Sequence, residues 1–147
     1  MGVSLGYSST LPVEPVNHQQ LLSLAAESNK AYDWWCESIW ISNERNEKGM
    51  AFGSTKLFRM IDDENVDTYM AYLDVCEIIK FLKMVSVRLG IEWEVKIEGA
   101  PFGGVTRTGA DTMLRGNIAT FLDMFPGDFE PLKAKPRAEI LAEWAGQ

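Results

Sequence analysis

Ile91-Glu92-Trp93-Glu94-Val95-Lys96-Ile97-Glu98 alternates apolar and charged residues without a break. In an extended strand successive side chains point to opposite faces. Ile91, Trp93, Val95 and Ile97 therefore share one side, and the charged residues share the other. Such a strand belongs to a sheet with one face in a core and the other in water, as antiparallel and mixed sheets allow. The stretch predicts an α+β fold whose sheet is covered by helices on one face only.

The segments around it extend this reading. Before it, Val75, Ile78, Ile79, Leu82, Val85 and Leu89 recur at helical spacing, and Gly90 suits the helix end. Asp74 and Glu77 have the spacing of a capping box, which starts this helix at Asp74. Thr68–Leu73 reads as a short strand or as the beginning of a helix, with the strand favoured. At the N-terminal end, Val3, Leu5 and Tyr7 alternate, and Pro12 bars the strand from continuing. Pro15 suits the first turn of a helix running to about Asn29. Ile39 and Ile41 alternate with Ser38, Trp40 and Ser42, and Met50 to about Met60 is extended; the Asn43–Gly49 loop makes the two a hairpin, with Gly53 marking a bulge. After Glu98, Gly99–Gly104 reads as a turn and Val105–Thr108 as a short returning strand. Asp111 can cap a helix to about Phe125, and Pro136 begins a last short helix. The order strand, helix, strand, strand, helix, strand is that of a ferredoxin-like split βαβ core with two additional C-terminal helices.

Bulk properties fit a single α+β domain over residues 1–147. An apolar share of 46% and a charged share of 24% belong to a chain that buries a core. The net charge of −7 argues against nucleic acid, whose phosphates need clustered Lys and Arg. No apolar run approaches the ~18 residues of a membrane span. The N-terminal stretch lacks the basic start and apolar middle of a signal peptide. With two cysteines far apart and no CxxC, a cytoplasmic chain with reduced thiols is the expectation.

Catalytic and metal-binding patterns are hard to find. His18 is the one histidine, so neither a zinc site nor a Ser-His or Cys-His pair is legible, and His18 reads as a structural or merely exposed residue. Asp62, Asp63, Glu64 and Asp67 lack the alternating ligand positions of a calcium loop and read as a solvated turn. No cofactor is implied.

Two places remain. If Ile39 and Ile41 face the core, Trp40 faces the open side of the sheet with Glu92, Glu94 and Lys96, forming an interaction face. Against this stands burial of Trp40 by the C-terminal helices, with Trp144 as the natural cover. The second place is the glycine-rich turn, where Gly103 and Gly104 let backbone N–H groups approach an anion, and Thr106, Arg107 and Thr108 add donors. Asp111 at the following helix start opposes an anion there. The sequence predicts a small non-enzymatic interaction or regulatory protein. Its partner is a second copy of the chain or a basic protein, and the alternative is a small-anion pocket at residues 99–111.

Overall fold

The computed structural model describes residues 3–145. Six strands form one antiparallel sheet: β1 (Val3–Ser9), β2 (Trp40–Ile41), β3 (Phe52–Leu57), β4 (Trp93–Ile97), β5 (Ala100–Thr106) and β6 (Gly109–Ala110). Their order across the sheet is β2-β3-β1-β4-β5-β6, with every neighbouring pair antiparallel. Among the described residues five α-helices accompany them: α1 (Pro15–Ala31), α2 (Glu64–Leu89), α3 (Thr112–Ala119), α4 (Glu130–Lys133) and α5 (Arg137–Glu143). Both sheet edges are strands of two residues, too short to offer much ladder to another chain.

The alternation seen in residues 91–98 holds along the neighbouring strands. Leu5, Tyr7, Thr55, Leu57, Trp93 and Val95 are buried on one face. Ala71, Val75, Ile78, Leu82 and Val85 of α2 and Leu21 and Ala25 of α1 pack into the same core. A second cluster gathers Trp35, Val66, Met70, Phe129, Leu132 and Ile140 around the start of α2 and the C-terminal helices. One helix serves both cores because α2 has 26 residues and so runs about 39 Å.

That length corrects the expectation for Thr68–Leu73, which is helical, and for Asp74, which caps nothing. The N-cap is Asp63, whose carboxylate accepts from the Val66 N–H at 3.1 Å. The strand reading fails because Asp67, Thr68 and Asp74 lie on buried helix positions, where polar residues break the apolar period that marks a helix. At the far end Gly90 takes the left-handed conformation, φ 69°, and returns its N–H to Ser86, the expected closure.

The glycine-rich segment also differs from its reading. The turn is only Glu98-Gly99, and β5 already runs through Gly103 and Gly104. A Cβ on Gly103 would lie 2.4 Å from the Leu114 Cβ, so glycine here lets α3 sit on the strand. Val95 pairs with Gly103 and Lys96 with Pro101, which leaves Phe102 as the extra residue of a bulge. Gly53, by contrast, stays in register with Tyr7 and Ile41. α3 stops at Ala119, shorter than predicted. Thr120 ends it, and a single 3₁₀ turn over Leu122–Met124 follows.

Candidate functional site

The sheet face opposite the helices is built from rungs that cross three or four strands. Trp40, Ser54, Gly6 and Lys96 form one rung, and Phe52, Ser8 and Glu94 the next. Down its middle β1 contributes Ser4, Gly6 and Ser8, all small. The flanking strands β3 and β4 stand about 10 Å apart. The floor is therefore a shallow trough. Trp40 and Phe52 wall it on one side, with their rings edge to face at 6.2 Å. Glu94 and Lys96 wall the other, ion-paired at 3.5 Å. Glu92 is exposed just before β4. Trp40 keeps 53% of its surface in water. Trp144, the expected cover for Trp40, packs instead against the second cluster near Trp35 and Ile140.

The Trp40 ring is free, but its backbone is not. Tyr7, buried on the other face, donates its hydroxyl to the Trp40 carbonyl at 3.0 Å and accepts from the Trp40 N–H at 3.2 Å. The same hydroxyl meets Thr55 Oγ1 at 3.1 Å. Tyr7 reaches across because Gly53 has no side chain: a Cβ there would lie 2.7 Å from the Tyr7 ring and 2.0 Å from the Trp40 oxygen. Burial pushes the Tyr7 hydroxyl up to about 12, so it remains a neutral donor through the physiological range. Sequence reasoning singles out Trp40 but misses this anchor, since Tyr7, Gly53 and Trp40 are brought together only by strand pairing.

The glycine-rich group is divided by the fold. Thr106 and Thr108 hydrogen-bond each other at 3.0 Å across the β5–β6 turn, with Arg107 at its tip. Gly103 faces Leu114, and Gly104 lies against Asp111 and the Trp93 carbonyl. Asp111 fills the start of α3 by accepting from the Leu114 N–H at 2.8 Å. Arg107 lines a different space, a cleft of about 360 Å³ where β1 ends, α1 begins and α2 closes.

Two buried carboxylates are not legible as a pair in the sequence. Asp67 accepts from Trp35 Nε1 and the Arg59 N–H, both at 2.8 Å, and from the Met60 N–H at 2.9 Å. Two turns on, Asp74 accepts from the Cys36 N–H at 2.6 Å, the Tyr32 hydroxyl at 3.3 Å and Arg137 at 3.3 Å. The Arg137 guanidinium also lies 4.0 Å over the Tyr32 ring. Together the acids hold the Tyr32–Cys36 loop, the Phe58–Met60 loop and α5 to α2. Burial pushes the Asp74 carboxyl up, against the opposing effects of the Cys36 N–H and Arg137. Burial, reinforced by Asp74, also pushes the Cys36 thiol up, so it is protonated at neutral pH and a poor nucleophile. The heptad spacing of Asp67 and Asp74 on one helix face is the sequence signal for this device, once the helix is known to begin at Glu64.

His18 is buried, with Nε2 3.0 Å from the Ser42 carbonyl. Among the described residues no group of three His, Cys, Asp or Glu side chains is placed to hold a metal ion, and no helix is long and apolar enough to cross a membrane. Comparison with protein-family models, with curated proteins and with solved structures finds no match for the chain.

Proposed function

We propose that this chain is a non-enzymatic interaction module that receives a protein partner on its open sheet face around Trp40. The observation that carries the reading is the contrast at Trp40. Its backbone is fixed by a buried tyrosine at both N–H and carbonyl, while its ring is left in water beside Phe52. Aromatic anchors on rigid backbone are what protein interfaces use most, because little entropy is lost when they are covered. The small residues of β1 let a partner segment approach the sheet closely. A basic partner fits the charge of −7 through long-range attraction, and a second copy of the chain is the other candidate. The reading of β1–β4 with α1 and α2 as a ferredoxin-like split βαβ core is supported by the order β2-β3-β1-β4. The free thiols Cys36 and Cys76 support a reducing, cytoplasmic setting.

The test is Trp40→Glu, measured against the wild type for sedimentation over a wide concentration range and for retention of partners at low and high salt. Loss of self-association or of partner retention, at unchanged thermal stability, supports the face. Binding by Trp40→Glu equal to that of the wild type overturns it.

A second reading is a small-anion site at Arg107; of the group Gly103, Gly104, Thr106, Arg107 and Thr108 only Arg107 lines a cleft, and that observation favours it. Inorganic phosphate should then raise the melting temperature of the wild type and not that of Arg107→Gln.

A further inference from the structure

We infer that the cleft at the end of the sheet is a binding site for a small zwitterion, a free amino acid with an apolar side chain. Its carboxylate meets Arg107, and its ammonium meets Glu14 and Glu92. This goes beyond the anion-pocket reading, because the ligand must bring a cation as well.

Four observations lead to it. The cleft has a volume of about 360 Å³, within the range of small-molecule sites. Its charged lining is one guanidinium and two carboxylates, Arg107, Glu14 and Glu92, and none of the three is in an ion pair among the described residues. Glu14 stands at the N-cap position of α1 yet makes no capping hydrogen bond, so its carboxylate is uncommitted. Apolar surface is exposed at the same place: Leu11 is 71% and Val87 61% exposed, and both line the cleft with Leu89 and Ile91.

The charge balance selects the ligand class. A simple anion drawn to Arg107 is opposed by two carboxylates, and a simple cation drawn to Glu14 and Glu92 is opposed by Arg107. A zwitterion satisfies both signs, and an apolar side chain covers the Leu11 and Val87 surface. The backbone of the walls is already set before a ligand arrives. The Thr10 N–H donates to the Glu92 carbonyl at 2.9 Å, the Val13 N–H to the Gly49 carbonyl at 2.9 Å, and the Ser86 hydroxyl to the Ile91 carbonyl at 2.5 Å. A preformed site loses less on binding.

The experiment is thermal shift and calorimetry with leucine, methionine and phenylalanine, beside N-acetyl-leucine, leucinamide and inorganic phosphate. N-acetyl-leucine lacks the ammonium and leucinamide the carboxylate. At least one free amino acid should raise the melting temperature by about 3–6 °C at tenfold its Kd, while its two blocked forms and phosphate do not. Arg107→Gln and Glu92→Gln should each weaken that amino acid at least about tenfold. Both side chains are exposed and outside any ion pair, so the unliganded melting temperature should hold. N-acetyl-leucine or phosphate binding as tightly as the free amino acid overturns the zwitterion site and leaves the anion pocket standing. No response to any of the ligands overturns both.

Discussion

Tyr7 and Trp40 meet through the sheet rather than along it: the phenol oxygen lies 3.0 Å from the Trp40 carbonyl oxygen and 3.2 Å from its amide nitrogen. β2 has only two residues, and its pairing with β3 involves Ser54 and Gly53 alone. The phenol therefore supplies part of what holds this edge, beside the Asn29 side chain, which bonds both the N–H and the carbonyl of Ile39, and the Ser42 N–H, which donates to the Phe52 carbonyl at 2.9 Å. Removing the hydroxyl by Tyr7→Phe should cost about 1–2 kcal/mol, read as a lower urea midpoint. Trp40→Ala, which cuts an exposed ring and leaves the backbone bonds intact, should cost less than about 1 kcal/mol. Equal losses for the two variants would mean that the ring rather than the anchor stabilises the edge.

The same hydroxyl makes an alkaline prediction. Its value is raised from 10.0 to about 12 in the folded chain, so the native state keeps this proton where the unfolded state has lost it. The associated stability is complete below pH 10 and declines as pH rises through the folded value of about 12. A rise of that size is on the order of 2–3 kcal/mol. In Tyr7→Phe the fall in melting temperature above pH 10 should be visibly shallower than in the wild type, although Tyr32 and Tyr72, whose hydroxyls burial also raises, keep part of it.

Gly53→Ala tests whether the anchor depends on the missing side chain. The added Cβ would fall 2.0 Å from the Trp40 oxygen and 2.7 Å from the Tyr7 ring, and the first of these is backbone that cannot rotate away. Overpacking of this kind costs about 1–3 kcal/mol. The expected result is a lower denaturation midpoint with faster hydrogen exchange at the Ser42 amide, which donates to the Phe52 carbonyl at 2.9 Å. A neutral Gly53→Ala would show that the edge can shift without loss.

These relationships mark the limit of what the chain reveals before folding. Residues 91–98 announce their strand and its two faces because alternation is a local property. The antiparallel α+β sheet follows from several such stretches, and parity with Ile39 and Ile41 puts Trp40 on the open face. Thr68–Leu73 misleads because α2 buries Asp67, Thr68 and Asp74 on its inner side, where a helix pattern calls for apolar residues. Gly103 suggests a loop, whereas its reason is the approach of Leu114. The grouping of Arg107 with Glu14 and Glu92 spans most of the chain, and no local pattern encodes it.

Asp67 is the most exacting of the buried acids. Three donors converge on it, and two of them are backbone N–H groups of a loop in which Phe58 and Met60 adopt left-handed φ values of 72° and 61°. Those conformations cost about 1–2 kcal/mol each. The carboxylate offsets that cost by accepting from the Arg59 and Met60 N–H groups. Asp67→Asn presents only one acceptor oxygen, so its amide must face at least one of the three donors. The expected loss is about 1–3 kcal/mol, with a change in near-ultraviolet circular dichroism from Trp35. A variant with unaltered midpoint and spectrum would show that the loop holds its strained conformation without Asp67.

Asp74 should behave differently, because its cost lies in ionisation. Burial raises its carboxyl above the ordinary value of 3.8 in spite of Arg137 and the Cys36 N–H. The native state then binds the proton more tightly than the unfolded state, so stability is greatest below pH 3.8 as far as this group is concerned. It declines as pH rises through the raised folded value and is constant beyond. Asp74→Asn keeps an acceptor for the Cys36 N–H but has no proton to lose. Its melting temperature should therefore fall less than that of the wild type as pH rises above 3.8, while Arg137, now without its counter-charge, should loosen α5. Limited proteolysis between Ala134 and Arg137 reads the second effect separately. Profiles of the same slope for the wild type and for Asp74→Asn would show that Asp74 titrates no differently in the folded chain than in the unfolded one.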